Sequence, residues 1–489
     1  AIPRIIPCHK FERFHAFSSS ALKIPVPHSP FFMRSRLCFE TYQLNQIAYP
    51  TAISRSPIKV ALSSVVTEQT EAKRPAKRIK RIGTSALLEQ GYIPLSFNEK
   101  WELTLHGNYF IEQDNAALIA FRMGENMFEK GIRLICAHTD SPTFKVKPIA
   151  EMKDADNYVR LNTQGYAQPI LTTWFDKPLS IAGRVALKGE SPFTPNIRLV
   201  DLASPLLLIP NRAFHLTQGK TEQDISKQKE MLPILTIADE ETNVEGILKR
   251  MIGKKLQITS DDILEYELYL YPYKKGQLVG MNADFIVCPR QDDLTMVYAA
   301  HHALMETNAK NNATNMVAFF DAEEETNSAL GGADTPFFRN VLTKIVKSMN
   351  GNEDDMIKML HNSFTVSLDV SFATHPNYRE CGDPTCSPVI NKGITIKYDA
   401  NMHYATTALS SAVFQDLCKQ AGIPFQKETS HSDFRTGRTI SAFLQTQTEM
   451  RCVEVGIPCW AMHSSQESCG TKDFYNLIRF LVAFWNHPT

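Results

Sequence analysis

The stretch Met316-Val317-Ala318-Phe319-Phe320-Asp321-Ala322-Glu323-Glu324 decides the fold, because a short apolar run leads directly into a cluster of carboxylates. The apolar part predicts a buried β-strand. In an open α/β sheet the carboxyl ends of the strands form the ligand crevice, so acids placed there are candidates for binding or catalysis. A charged turn at the surface would be the better explanation of the stretch if it stood alone, so the interpretation depends on the other strands.

The same order of apolar run and polar side chain recurs along the chain. Three further runs end in side chains that can bind metal ions: residues 132–137 before His138, residues 364–368 before Asp369, and residues 452–457, through a turn with a proline, before His463. Together with Glu324, these residues are expected at one edge of a sheet. The pattern predicts an α/β fold with a mixed sheet and a polar crevice.

A fifth segment, Pro289-Arg290-Gln291-Asp292-Asp293, precedes an apolar helical pattern. This order places Asp292 or Asp293 at the beginning of a helix. Either aspartate could serve only as a helix cap. The segment by itself does not decide between a cap and a ligand, or between the two aspartates.

Composition limits the classes of function. The chain has 489 residues, 43% of them apolar, which is enough for a sizeable core and more than one domain. The formal charge of zero gives no reason to expect nucleic acid or an anionic membrane as a partner. No apolar run approaches the roughly 18 residues that span a bilayer. The ten cysteines are scattered, and several lie in apolar patterns, which favours a reducing compartment such as the cytoplasm.

Three regions differ in character. Residues 1–83 are rich in Ser, Pro, Arg and Lys and poor in acids, which is typical of a disordered tail or a targeting segment. If the segment is a transit peptide, the protein belongs in an organelle. Residues 84–149 and 281–489 carry the α/β pattern, and residues 150–280 contain segments that alternate with period two. We expect a β-rich domain inserted into an α/β domain.

Two helices are predicted in the second half of the chain. Residues 405–421 form an amphipathic pattern that ends at Gly422, with the apolar positions Leu409, Val413, Leu417 and Ala421. Residues 472–487 form a closing helix, expected to pack through Phe474, Leu477, Phe480, Leu481 and Phe484.

The strand-end residues form a set of metal ligands. His138, Glu324, Asp369 and His463, with one of Asp292 and Asp293, offer two imidazoles and three carboxylates, which suit a pair of divalent ions such as Zn²⁺. Two such ions lie about 3.5 to 4 Å apart and share a carboxylate in known hydrolases. With Glu323 and Asp140 nearby, the crevice would hold about five negative charges, which two dications would nearly cancel.

Two neighbouring carboxylates have separate predicted roles. Asp140 follows His138 by two residues in an extended segment, so it can accept the imidazole N–H and fix the tautomer. Glu323 precedes a predicted ligand, and its carboxylate can reach a water molecule without binding metal. We therefore expect Glu323 to be the general base.

Six segments in this order resemble the motifs of the M18 aspartyl aminopeptidases over the chain from about residue 87 onward. They are Ala137-His138-Thr139-Asp140-Ser141-Pro142, Trp174-Phe175-Asp176 with Ala182-Gly183-Arg184-Val185, Pro289-Arg290-Gln291-Asp292-Asp293, Asp321-Ala322-Glu323-Glu324, His375-Pro376-Asn377-Tyr378 and Ala461-Met462-His463-Ser464.

The resemblance implies a dinuclear zinc exopeptidase that removes N-terminal Asp or Glu from peptides. Its implied metal ligands are His138, Asp292, Glu324, Asp369 and His463, with Asp292 bridging and Glu323 as the base. Lys397 matches the family lysine that pairs with the acidic side chain of the substrate, and His375 would also contact substrate. Members assemble into hollow homo-oligomers, often dodecamers, through the β-rich domain. His215 matches a histidine that reaches a neighbouring subunit's active site.

Some positions depart from the family pattern. Glu325 and Thr326 stand where the family usually has valine and glycine, Phe372 replaces a histidine, and Ser441 replaces a glycine. The predicted ligands remain intact, but rate and substrate preference are open. Two alternatives therefore stand beside the main prediction: an aminopeptidase for neutral residues or a deacylase on the same scaffold, and a weakly active shell or cargo-binding subunit.

Overall fold

The computed structural model describes residues 84–216, 224–307 and 311–488. The predicted N-terminal extension, residues 1–83, lies outside the described residues. The fold is built from three β-sheets and the helices that cover them.

The strands run through the whole described chain. They are β1 (Ile93–Pro94), β2 (Asn108–Gln113), β3 (Ala117–Arg122), β4 (Ile132–His138), β5 (Thr143–Lys153), β6 (Tyr158–Tyr166), β7 (Leu179–Leu187), β8 (Asn196–Asp201), β9 (Ile234–Ile237), β10 (Ile263–Pro272), β11 (Gln277–Val279), β12 (Phe285–Cys288), β13 (Thr314–Phe320), β14 (Phe364–Leu368), β15 (Ser371–Phe372), β16 (Ile394–Tyr398), β17 (Phe425–Thr429), β18 (Arg451–Gly456), β19 (Pro458–Trp460) and β20 (Glu467–Gly470).

The helices alternate with these strands. They are α1 (Ser85–Glu89), α2 (Met127–Lys130), α3 (Lys227–Glu230), α4 (Ile247–Leu256), α5 (Gln291–Glu306), α6 (Pro336–Ser348), α7 (Glu353–His361), α8 (Ala408–Gln420), α9 (Ile440–Thr448) and α10 (Thr471–Asn486). Short 3-10 helices occur at Leu171–Trp174, Phe214–Leu216, Ser260–Asp262 and Arg379–Cys381.

The largest sheet has nine strands in the order β1-β2-β3-β13-β4-β14-β18-β16-β17. Its centre, β13-β4-β14-β18, is parallel, while β3 and β16 pair with this centre in the antiparallel direction. The mixed α/β sheet predicted from the sequence is therefore confirmed. The four strands expected to end in polar residues are the four central ones, so their carboxyl ends lie side by side.

Helices cover both faces of this sheet, because its central strands are apolar on both sides. One face packs against α5, α8 and α10, and the other packs against α6, α7 and α9. Helix α10 buries the aromatic and aliphatic side chains predicted for it, including Phe474, Phe480 and Phe484. The closing helix is thus confirmed.

Helix α8 exists where the amphipathic pattern placed it, but its predicted buried face is wrong in part. Leu409 and Val413 are 52% and 37% exposed, while Phe414 and Cys418 are buried. The ring of Phe414 packs against the ring of Phe480 with a centroid distance of 4.4 Å. This aromatic contact sets the rotation of the helix, which turns the smaller aliphatic side chains outward.

The second sheet is antiparallel and has the order β8-β7-β10-β5-β6-β9. Its strands lie between Thr143 and Pro272, and it packs through its own apolar cluster, which includes Trp174 and Leu248. The period-two segments predicted here are strands. The third sheet, β11-β12-β20-β19-β15, contains the hairpin of β19 and β20 whose loop carries His463. Among the helices of the described residues, none combines the length and apolar character that a membrane crossing requires.

Candidate metal centre

The candidate ligands converge at the carboxyl ends of the central strands. His138 is the last residue of β4, Glu324 follows β13, and Asp369 follows β14. In the parallel ladder, Phe320 of β13 lies opposite His138, which brings the two strand ends together. Asp292 belongs to the first turn of α5, which packs against this sheet.

Two groups of side chains have ligand atoms within 4.8 Å of one another. The first contains His138, Asp292, Asp293 and Asp369, and the second contains Asp292, Glu324 and His463. All five residues predicted as ligands occur in these groups, and Asp292 belongs to both. The two carboxylate oxygens of Asp292 face in different directions: Oδ1 lies 3.2 Å from His138 Nε2, and Oδ2 lies 3.6 Å from His463 Nε2.

The donor atoms fit zinc. Imidazole nitrogens and carboxylate oxygens are the ligands that zinc takes in hydrolases. Asp292 Oδ1 and Glu324 Oε1 are buried and accept no hydrogen bond from any described residue. Buried carboxylate oxygens without donors are costly unless a cation is bound to them. The arrangement of the groups therefore fits metal ions better than a purely structural role.

The pKa values of two acids at the cluster, Glu323 and Glu324, are raised because these acids are buried and lie close to other acids. Burial raises the pKa of Glu323 to about 8, and the charges of Asp369 and Asp140 add to the shift, while His138 opposes it. Burial, together with the charge of Asp292, also raises the pKa of Glu324 well above its usual value. A carboxyl held neutral in this way becomes ionised when positive charge is placed beside it.

Asp140 lies beside Nδ1 of His138, and its predicted role in fixing the tautomer stays a prediction. Its Oδ1 is 3.4 Å from His138 Nδ1, and both oxygens accept backbone N–H groups, from Glu323 and from Glu324, at 3.1 Å. Tyr166, at the end of β6, donates its hydroxyl to Asp140 Oδ2 at 2.6 Å. Asp140 thus links the imidazole, the acid cluster and the second sheet.

Glu323 lies beside the candidate ligands, and its predicted role as the general base stays a prediction. Its side chain is 10% exposed, and its Oε2 lies 4.0 Å from His138 Nε2. Glu323 is a member of neither candidate ligand group.

Two further acids, Asp293 and Glu467, support the cluster, and only Glu467 has no place in the sequence prediction. Asp293, which was weighed only as an alternative to Asp292, accepts the backbone N–H of His138 on Oδ2 at 3.1 Å. Glu467 accepts the backbone N–H of His463 at 2.8 Å and those of Gln291 and Asp292 at 2.6 and 3.1 Å. No spacing in the sequence indicated Glu467, because its partners lie far apart along the chain.

Lys397 is buried at the wall of the cluster. It is 3% exposed, and its ammonium group donates to Asp369 Oδ2 and to the carbonyl of Val370, both at 3.0 Å. It also lies over the ring of Tyr404 at 4.7 Å. The structure therefore places Lys397 against a candidate ligand, and its predicted contact with substrate stays a prediction.

The two remaining predicted residues lie outside both ligand groups. His215 is exposed in the 3-10 helix Phe214–Leu216, where its ring contacts that of Phe214. His375 is half-buried, and its Nδ1 accepts the backbone N–H of Asn377 at 3.2 Å. Their roles likewise stay predictions.

The segment after β6 contacts the metal cluster and the residues beside it at several points. Beyond the Tyr166 bond, the N–H of Ala167 donates to Glu325 Oε1 at 2.7 Å, and the N–H of Ile170 donates to the carbonyl of His463 at 3.0 Å. Glu325 is one of the positions that depart from the family pattern, and its carboxylate is used in this contact.

Comparison with known proteins assigns the chain to a family. Residues 73–485 match the family model described as Aminopeptidase I zinc metalloprotease (M18). A protein of Clostridium acetobutylicum named "Probable M18 family aminopeptidase 2" is 40% identical over 405 residues, which cover 82% of this chain and 93% of that protein.

Solved structures share the fold. The cryo-EM structure of the Ape4 and Nbr1 complex contains a chain with a TM-score of 0.83 and 28% identity, with 88% of this chain and 86% of that chain covered. The structure of the S. cerevisiae mApe1 dodecamer has a TM-score of 0.76 and 23% identity, with 88% and 97% covered. The second likeness is one of fold.

Proposed function

Because this chain belongs to the M18 family of zinc aminopeptidases, we propose that it removes N-terminal aspartate and glutamate from peptides at a site that binds two zinc ions. The ligands would be His138, Asp292, Glu324, Asp369 and His463. The observation that carries the proposal is the position of Asp292, whose two oxygens face His138 and His463 separately. A carboxylate shared in this way is typical of dinuclear hydrolases.

Glu323 and Asp140 have separate roles in the proposed reaction. When bound, zinc supplies a Lewis acid that polarises the scissile carbonyl and lowers the pKa of water. Glu323 takes a proton from the attacking water and passes it to the leaving amine, because its carboxylate adjoins the cluster without belonging to either ligand group. Asp140 holds His138 in the tautomer whose Nε2 is free to bind metal.

Specificity for acidic residues rests on Lys397 in this proposal, with His375 as a second contact. A buried ammonium group binds a substrate carboxylate favourably. A neutral substrate side chain would leave this positive charge unpaired, so it binds less well. Lys397 now donates to Asp369, so the substrate would share the ammonium group with that ligand. Its burial makes the ion pair stronger than a pair on the surface.

The same observation favours a second candidate, an aminopeptidase for neutral residues. Lys397 already has two oxygen partners and an aromatic neighbour, so its charge is balanced without substrate. A panel of Asp-, Glu-, Leu- and Ala-anilides separates the two candidates. Higher kcat/KM for Asp and Glu supports the first proposal, and higher values for Leu and Ala support the second.

Metal analysis of the purified protein tests the dinuclear site. We expect two zinc ions per subunit after loading and loss of turnover after chelation. One ion per subunit at saturation, with full activity, would contradict the bridging role of Asp292. No turnover of any anilide by the zinc-loaded protein would instead favour a shell or cargo-binding subunit.

We also propose that the protein forms a homo-oligomer, a dodecamer, through the second sheet. Phe214 and Leu216, on either side of His215, are 84% and 64% exposed, as expected of a surface that a neighbouring subunit covers. His215 would then enter the neighbour's active site. Light scattering after size exclusion measures the assembly, and His215→Ala should lower turnover without changing zinc content.

The cysteines support a reducing compartment, the cytoplasm. None of the eight cysteines in the described parts of the chain is joined in a disulfide, and six of them are buried. Imaging of a tagged full-length protein tests this location against an organelle.

A further inference from the structure

A cavity of about 390 Å³ lies beside the metal cluster, between the end of the nine-stranded sheet and the antiparallel sheet. This volume falls in the range of about 300–1,000 Å³ that is usual for small-molecule sites. None of the five proposed metal ligands lines it. The side chains that matter for its chemistry are Leu118, Tyr166, Tyr269, Leu294, Val297 and Asp321.

Two charged groups on the wall of this cavity, Asp321 and Arg290, form no ion pair with any residue that the structure describes. The charges around the carboxylate of Asp321 are the acidic Asp140, which raises its pKa, and the cationic Arg184, which lowers it. Arg184 pairs with Glu267 and also donates to the carbonyl of Asp114, while Arg290 lies over the ring of Tyr271 with Nε and Nη1 buried.

The rest of the lining suits a cation with an apolar body. Tyr166 and Tyr269 meet edge to face with a centroid distance of 6.3 Å, and the electron-rich faces of tyrosine rings attract cations. Leu118, Leu294 and Val297 supply apolar surface that an aliphatic or aromatic group can cover. An anionic ligand would instead meet the unpaired carboxylate.

We propose that this cavity is a second ligand site, distinct from the metal cluster, which binds a small primary amine with an apolar body and places its ammonium group on Asp321. Burial and the charge of Asp140 raise the pKa of Asp321 to about 6, so the carboxylate gains a partner when a cation enters. Ala329 and Leu330 are exposed at the rim and leave a path for entry.

A ligand bound in the cavity would affect the metal cluster through one hydrogen bond. Tyr166 and Asp140 both line the cavity, and the Tyr166 hydroxyl donates to the carboxylate that contacts His138. An amine in the cavity therefore changes the environment of His138 without occupying the place of the substrate. We expect a change in kcat rather than competition with substrate.

Calorimetric titration of the zinc-loaded full chain with benzylamine tests the site. We expect saturable binding, weaker binding of the neutral benzyl alcohol, and no binding of benzoate. Asp321→Asn should weaken benzylamine binding roughly tenfold or more, since it removes a charge-assisted contact. Ala329→Trp should weaken it by blocking entry at the rim. Glu325→Gln is the matched control, because it removes a charge four residues away that does not line the cavity.

Three results would overturn the proposal. Binding that is absent in the wild type, or equal in the wild type and both cavity variants, would exclude the cavity as the site. Loss of benzylamine binding when zinc is removed would place the amine on the metal ions. Inhibition by benzylamine that is purely competitive with the anilide substrate would place it in the substrate pocket. Retained binding without zinc, with a mixed effect on turnover, supports the second site.

Discussion

Replacing Glu323 by glutamine keeps the size of the side chain but removes the group that takes the proton from water. General bases contribute roughly 10²- to 10⁴-fold to rate. The structure favours the upper part of this range, because Asp140, another carboxylate beside the cluster and outside the ligand groups, is already engaged by His138, Tyr166 and two backbone N–H groups. A loss of roughly 10³- to 10⁴-fold in kcat corresponds to about 4–5.5 kcal/mol in the activation barrier.

The assay compares three neighbouring variants by anilide hydrolysis and by metal analysis of the same samples. Glu323→Gln should lose turnover and keep its zinc, because Glu323 lies outside both candidate ligand groups. Glu324→Gln should lose both turnover and zinc, since Glu324 belongs to the second group. Glu325→Gln should keep both, because its side chain reaches Ala167 and not the cluster.

The result that refutes this reasoning is a Glu323→Gln protein that retains a tenth or more of the wild-type kcat with full zinc content. Another residue would then act as the base. Reduced zinc content in the Glu323→Gln protein would instead indicate that Glu323 is a metal ligand.

Three further predictions follow from named contacts. Lys397→Ala should remove most of the preference for acidic over neutral anilides, and an unchanged ratio of kcat/KM values would exclude Lys397 as the selector. Tyr166→Phe removes the 2.6 Å bond to Asp140, so zinc affinity should fall by about tenfold; an unchanged affinity in a zinc titration would contradict this link. Burial raises the pKa of Asp473 to about 6; this carboxyl therefore stabilises the fold at low pH, and about 3 kcal/mol of that stability is lost as pH rises from about 4 to about 7. Denaturant unfolding of the chelator-treated protein should show this fall, and Asp473→Asn should flatten it relative to the wild type.

Much of the fold could be predicted from sequence because its signals are local. Apolar runs of five or six residues that end in a polar residue predicted the central strands β4, β13, β14 and β18, and period-two alternation predicted β7, β8 and β10 of the second sheet. The aromatic spacing of α10 predicted its buried face. The face of α8 was predicted wrongly in part, since the choice between Leu409 and Phe414 depends on what the neighbouring helix presents, which is Phe480.

The candidate site could also be predicted only in part from the sequence. That His138, Glu324, Asp369 and His463 would share one edge followed from strand ends in a parallel sheet. The contacts of Glu467 could not be predicted from the sequence. Two of its three backbone partners, Gln291 and Asp292, lie more than 170 residues away, and the third, His463, lies in a hairpin loop whose shape the sequence does not indicate.

The amino-acid sequence by itself determined the α/β class, the order of the central elements and the kinds of side chain at their ends, because hydrophobic periodicity acts over a few neighbouring residues. Only the tertiary structure decided that Asp292 faces two histidines at once, that Lys397 is buried against Asp369, and that an unpaired carboxylate lines a cavity beside the cluster. These depend on distances between residues far apart in the chain, which are set by how the sheets and helices pack.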